Sequence, residues 1–134
     1  MKKILIVDDS PSVRERFMDI LAPVAECKVA ENGREAVNLI KMTQGISNDF
    51  DIVIMDIIMP EKDGLTAVKE IRQYENLMGW RGDEALTIFL TTTLKDPSRV
   101  VVAQKECGAD GYIPKPFNKN TVLQTLKAND RSGR

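Results

Sequence analysis

The stretch Asp51-Ile52-Val53-Ile54-Met55-Asp56 decides the fold. Its four central residues are apolar with no polar alternation, and three are β-branched. Such a run reads as a strand buried on both faces, the signature of a parallel sheet covered by helices on either side. Three further runs of strand type also end in polar groups. Lys3 to Val7 precedes Asp8 and Asp9, Leu86 to Leu90 precedes Thr91 and Thr92, and Gly111 to Ile113 precedes Pro114-Lys115-Pro116. Glu26 to Ala30 is a weaker strand, suited to a sheet edge. In a parallel sheet the C-terminal ends of the strands share one edge, and ligands collect in the crevice there. The topology therefore predicts that three carboxylates, a hydroxyl and an ammonium meet in one pocket.

Segments of 3.6-residue period alternate with these runs, as repeated βα units require. Ser10-Pro11 reads as N-cap and first helical residue, and Val13, Phe17, Ile20 and Leu21 mark a buried face that Pro23 ends. Glu31-Asn32-Gly33 reads as a turn before a helix over about Arg34 to Met42, with Ala36, Val37 and Ile40 inward. Gly45 to Asn48 reads as a polar loop. A third helix is expected from Gly64 to about Tyr74, with Leu65, Val68 and Ile71 at helical spacing. Glu75 to Ala85 then reads as a long solvated loop anchored by Trp80, with a partner-facing insertion as the alternative. Asp96-Pro97 repeats the cap-plus-proline start of a helix that runs to Cys107 and stops at Gly108. Asn118 or Asn120 opens the last helix, with Val122, Leu123 and Leu126 inward.

The bulk properties narrow the function. At 134 residues the chain is sized for one domain. A net charge of -1 with 29% charged residues provides no field to attract nucleic acid. No run approaches the roughly 20 apolar residues of a membrane span, and the opening apolar stretch is too short for a signal peptide. The expected setting is cytoplasmic, with Cys27 and Cys107 as two reduced thiols. The chain has no histidine, so a histidine general base, metal ligand or phosphohistidine would have to come from another molecule.

Asp8 and Asp9 are neighbouring like charges, and each makes the other costlier to ionise unless a cation lies near. On their own they also fit a solvated or capping pair. Asp56, at the edge of a buried strand, needs a partner or a use, and Lys115 is the candidate partner. Three carboxylates against one ammonium leave surplus negative charge that a hard divalent cation with oxygen ligands resolves, which suits Mg²⁺. Phosphoryl transfer asks mainly for positioning and charge neutralisation, which Mg²⁺, Lys115 and a threonine hydroxyl supply. Asp56 is the candidate nucleophile, forming an acyl phosphate.

Taken together, these residues resemble the receiver domain of two-component response regulators over essentially the whole length. The matching pieces are Ile4-Leu-Ile-Val-Asp8-Asp9, Ala30-Glu-Asn-Gly33-Arg-Glu-Ala36, and Asp51-Ile-Val-Ile-Met-Asp56-Ile-Ile-Met-Pro60. Asp63-Gly64, the Leu90-Thr-Thr run and Gly108-Ala-Asp-Gly-Tyr112-Ile-Pro-Lys115-Pro116-Phe117 complete them. The resemblance implies an α/β fold, a doubly wound five-stranded parallel sheet of order 2-1-3-4-5 of the flavodoxin or CheY-like kind. It implies a receiver over residues 1–126, with 127–134 expected as a frayed tail. It further implies that Asp56 accepts a phosphoryl group from a partner histidine kinase or histidine phosphotransfer protein. Asp9 would ligate Mg²⁺ directly, Asp8 through water, and Asp56 and the backbone oxygen of Ile58 would contribute. Lys115 would hold phosphoryl oxygens, its bond to Pro116 would be cis, and Tyr112 would be a switch aromatic following the fourth-strand threonine. Alignment along that strand makes Thr92 the hydroxyl, whereas counting back from Lys115 without a gap favours Thr93.

Ile58 and Leu94 occupy positions that influence dephosphorylation in the family, and both are apolar here, so a long-lived phosphoryl group is expected. The alternative is that they only cover the pocket. The protein is expected to be a signalling receiver, not a metabolic enzyme, promoting only its own phosphorylation and dephosphorylation. It would act on a downstream target protein that the sequence does not name, as a stand-alone receiver or part of a larger regulator. An aspartyl phosphatase is disfavoured, because the second acid expected two residues after the nucleophile is Ile58. A receiver that no longer accepts phosphate is disfavoured by the presence of Asp8, Asp9, Asp56 and Lys115.

Overall fold

The computed structural model describes residues 2–45, 50–59, 61–93 and 97–129. The strands are β1 (Lys2–Val7), β2 (Ala25–Ala30), β3 (Ile52–Asp56), β4 (Thr87–Thr92) and β5 (Gly111–Pro114). They alternate with α1 (Pro11–Leu21), α2 (Gly33–Thr43), α3 (Gly64–Met78), α4 (Pro97–Cys107) and α5 (Lys119–Asn129). All strand pairs are parallel and the order is β2-β1-β3-β4-β5, as the resemblance implied.

Side-chain alternation along each strand divides the core in two. Ile4, Ile6, Ile52, Ile54, Phe89 and Ile113 pack with Phe17 and Leu21 of α1 and Val122 and Leu126 of α5. Leu5, Val7, Val53, Met55, Ile88 and Leu90 face the other way, toward Ala36, Val37 and Ile40 of α2, Ala67, Val68 and Ile71 of α3, and Cys107 of α4. All five residues of β3 are buried. Burial on both faces is what makes the unbroken apolar run from Ile52 to Met55 legible as a central strand.

The helix starts follow from local chemistry. Ser10, Asn32, Asp63 and Asn118 each accept a backbone N–H three residues on, from Val13, Glu35, Thr66 and Thr121, satisfying donors that a helix start leaves open. Asn118, not Asn120, therefore caps α5, and Asn32, read as a turn residue, is a cap. The expected cap Asp96 lies outside the described residues, as do Pro60, Leu94 and positions 46–48 of the expected polar loop.

Two expectations need correction. Helix α3 does not end near Tyr74 but runs to Met78, where Gly79 takes the left-handed conformation at φ 77. The segment read as a long loop is thus partly helix, followed by a 3₁₀ turn over Gly82–Glu84. Trp80 packs edge-on against Tyr74 of α3, ring centroids 5.7 Å apart, so the aromatic anchors the end of this helix. The helix continues because Glu75, which reads as a loop residue in sequence, is 3% exposed and held by the chain around it. The second correction is at the C-terminus: α5 continues through Asn129, past the expected onset of fraying at 127. Residues 130–134 lie outside the described residues.

Candidate acidic and lysine site at the sheet edge

The site is built where β1, β3, β4 and β5 end. Asp8 follows β1 and is buried, and its backbone N–H is tied to Ala30 O at 3.2 Å. Its Oδ1 accepts from Ser10 N at 2.9 Å and its Oδ2 from Lys115 Nζ at 2.8 Å. Asp9, one residue on, is exposed. Asp56 closes β3 and is 6% exposed. A carboxylate oxygen from each of Asp8, Asp9 and Asp56 lies within 4.8 Å of the other two. The cluster expected from sequence therefore forms.

Lys115 is brought in from the loop after β5. Its backbone N–H donates to Thr92 O at 2.8 Å, and its bond to Pro116 is cis. Phe117 anchors this loop by stacking on Phe17 at 4.1 Å between centroids, while Arg16 lies over the Phe117 ring and donates to its carbonyl oxygen at 2.9 Å. The ammonium then reaches Asp8 and, at 3.3 Å, Asp56 Oδ1. Sequence reading made Lys115 the partner of Asp56; the geometry shows that it divides itself and sits closer to Asp8.

The charge balance sets the properties of the pocket. Burial, reinforced by the Asp8 charge, pushes the Asp56 carboxyl up to about 6, even though Lys115 pulls the other way and Asp9 adds a smaller push upward. Burial would lower the Lys115 ammonium, yet the hydrogen bond to Asp8 and the Asp56 charge hold it above its ordinary value. One ammonium does not neutralise three carboxylates. A hard, oxygen-seeking divalent cation fits this donor set, since carboxylates plus open solvent positions are what Mg²⁺ takes.

The three threonines at the end of β4 separate clearly. Thr91 and Thr92 are buried and Thr93 is exposed. Thr91 is the register partner of Asp56, and Thr92 pairs with Pro114. Alternation puts Thr92 on the same side as Leu90, whose register partner is Tyr112. Tyr112 is half-buried and packs against the core on the α2, α3 and α4 side. Ile58 is 64% exposed just beyond Asp56.

Sequence reading missed two supports. Gly64 approaches so closely that an added Cβ would lie 2.0 Å from the Asp56 carbonyl oxygen, and its N–H donates to Ile57 O at 2.8 Å. Only glycine lets α3 start this near the site; the Asp63-Gly64 pair was the available signal. Arg14 donates to Asp8 O at 2.8 Å, which braces the end of β1, and its single charge in a helical pattern gave no sign of this.

The chain matches the response regulator receiver domain over residues 4–127. It belongs to that family. This receiver is 37% identical over 126 residues to chemotaxis protein CheY of Halobacterium salinarum, covering 93% of each chain. It is 38% identical over 129 residues to chemotaxis protein CheY of Bacillus subtilis, covering 92% of this chain and 93% of that one. Its fold superposes on chemotaxis response regulator CheY4 of Vibrio cholerae with a TM-score of 0.81 at 32% identity, covering 96% and 98% of the two chains. It is therefore a CheY-like receiver domain of two-component signalling, a signalling protein and not a metabolic enzyme. Among the described residues no helix is long and apolar enough to cross a membrane.

Proposed function

We propose that this receiver takes a phosphoryl group onto Asp56 from a phosphohistidine of a partner kinase or phosphotransfer protein, and that the modified site changes a partner-binding surface in the cytoplasm. The observation that carries the reading is the position of the Lys115 ammonium, 2.8 Å from Asp8 and 3.3 Å from Asp56, beside an acidic cluster that one cation does not neutralise. A carboxylate oxygen of Asp56 forms a bond to phosphorus as the phosphorus–nitrogen bond of the partner breaks, and the partner's imidazole takes the leaving electron pair. Lys115 exchanges its carboxylate contacts for phosphoryl oxygens and holds the charge that arrives. Asp8, Asp9, Asp56 and the backbone oxygen of Ile58 would hold Mg²⁺. When bound, the ion neutralises the approaching phosphate and orients its oxygens.

The output runs through Thr92 and Tyr112. Thr92, at the end of β4 on the Tyr112 side of the sheet, supplies the hydroxyl that follows the phosphoryl group. The space it vacates lets Tyr112 turn inward and alters the surface beside α4. The downstream target is a protein that recognises that surface.

Incubation with acetyl phosphate and Mg²⁺, read by intact mass, tests the proposal. The expected result is one phosphoryl adduct that is lost on Mg²⁺ removal before reaction and in Asp56→Asn. No adduct, or one that survives Asp56→Asn, would overturn it.

The decay of that adduct carries a second expectation. Ile58 is apolar and exposed at the mouth of the site, so its side chain has no group to orient an attacking water. Ile58→Asn should hydrolyse the phosphoryl group roughly tenfold faster, a barrier change of about 1.4 kcal/mol. Equal or slower decay in the variant would mean that Ile58 only covers the pocket.

A further inference from the structure

Among the described residues, Thr91 Oγ1 is a buried side-chain polar atom with no hydrogen-bond partner. A buried hydroxyl left unpaired is destabilising, and valine has nearly the same shape without that cost. Its place makes the orphan informative. Thr91 is the register partner of Asp56, and both fall on the α1 and α5 side of the sheet, in line with Ile54 and Phe89. Adjacent strands lie about 5 Å apart, so the Cβ atoms of an in-register pair leave room for one hydrogen bond between a hydroxyl and a carboxylate. On the Asp56 side, Lys115 contacts the carboxylate at Oδ1.

We infer that Thr91 is a positioning residue for phosphoryl transfer at Asp56, donating its hydroxyl to the aspartyl group in the reactive and phosphorylated states. Rotation about a single side-chain bond brings Oγ1 toward the carboxylate. The donated hydrogen bond fixes the plane of the carboxyl group, so that its other oxygen stays directed at the incoming phosphorus. After transfer the same hydroxyl donates to the acyl oxygen of the aspartyl phosphate. The site thus has two adjacent threonines with separate tasks, because alternation sends them to opposite faces. Thr92 follows the phosphoryl group toward Tyr112, while Thr91 holds the group that carries it.

This inference rests on the phosphoacceptor reading of Asp56, and the experiment separates the two. Wild type, Thr91→Val and Thr91→Ser are reacted with acetyl phosphate at saturating Mg²⁺, with initial rates read by intact mass, and the thermal midpoint of each unreacted protein is measured. Thr91→Val should melt higher than wild type yet react about tenfold more slowly, and Thr91→Ser should keep a rate within about twofold of wild type. A packing role alone predicts higher stability with unchanged chemistry. Thr91→Val reacting at the wild-type rate, or Thr91→Ser as slow as Thr91→Val, would overturn the inference alone. A wild-type protein that takes no phosphoryl group would overturn the underlying reading and this inference with it. Should Thr91→Val not fold, Thr91→Ala gives the same comparison of rate against serine.

Discussion

Asp56→Asn should stabilise the metal-free protein at pH 7 by about 1–3 kcal/mol while abolishing its phosphoryl chemistry. The gain arises because burial and the Asp8 charge hold the Asp56 carboxyl at about 6 in the folded chain, against an ordinary aspartate value of about 4 once unfolded. Between those two values the folded chain keeps a proton that the unfolded chain has released. Stability of the wild type therefore falls as pH rises from about 4 to 6 and stays at that lower level above. Asparagine has the same shape and no charge to desolvate, so the variant lacks this slope, and Lys115 keeps its 2.8 Å contact with Asp8. Thermal midpoints at pH 4, 5, 6 and 7 without metal check this: the curves should coincide near pH 4 and separate by several degrees at pH 7. Mg²⁺ should close part of the gap by stabilising wild type preferentially. A variant equal to or less stable than wild type at pH 7 would mean that Lys115 already offsets the cost of the Asp56 charge.

The same electrostatics explains why so much of the site was legible. Asp8, Asp9, Asp56 and Lys115 stand directly after strand-type runs, and a parallel sheet leaves the ends of its strands no other common place to go. Residues whose role depends on approach distance were not visible in this way. Asp63-Gly64 reads as a helix start and marks a glycine there, but does not by itself give a Cβ position 2.0 Å from the Asp56 carbonyl oxygen. Assigning the threonines to faces of the sheet needed the register itself. Three consecutive hydroxyls carry no phase of their own, and only the pairing of Thr91 with Asp56 and of Leu90 with Tyr112 assigns them to faces.

The end of α3 was misread for a related reason. A glutamate followed by Asn76, a glycine and a lone tryptophan resembles a solvated connection by composition. Of the partners that make Glu75 a buried residue, Leu86 lies 11 residues away, and Arg72, one turn back on α3, is itself fixed by bonds to Leu86 O and Asp110. Glu75 Oε2 accepts from Leu86 N at 2.6 Å, and its Oε1 accepts from Arg72 at 2.7 Å. Local propensity does not register contacts of that range. A charge that looks exposed in sequence is held inside by a guanidinium one turn back.

Arg72→Ala should therefore be among the most damaging substitutions outside the acidic site, costing about 3–5 kcal/mol. One guanidinium joins three parts of the fold. Nη1 donates to Glu75 and to Leu86 O at 2.8 Å, Nη2 to Asp110 at 2.9 Å, and Nε to Gly108 O at 2.9 Å. Asp110 in turn accepts from Ile88 N at 2.8 Å, so the network clamps α3 to the start of β4 and to the turn between α4 and β5. Alanine leaves the Glu75 charge buried without its counterion, and that desolvation, more than the lost attraction, supplies the cost. Against a typical domain stability of about 5–15 kcal/mol, urea unfolding should show a midpoint lowered by a large fraction. Arg72→Lys should recover only part, since one ammonium does not reproduce the planar fork. Glu75→Gln placed on Arg72→Ala should regain stability by removing the stranded charge, and the double variant should be less damaged than the two single losses added together. A cost below about 1 kcal/mol for Arg72→Ala would show that the clamp adds nothing to the hydrophobic packing of α3 and that Glu75 is accommodated by its backbone donor alone.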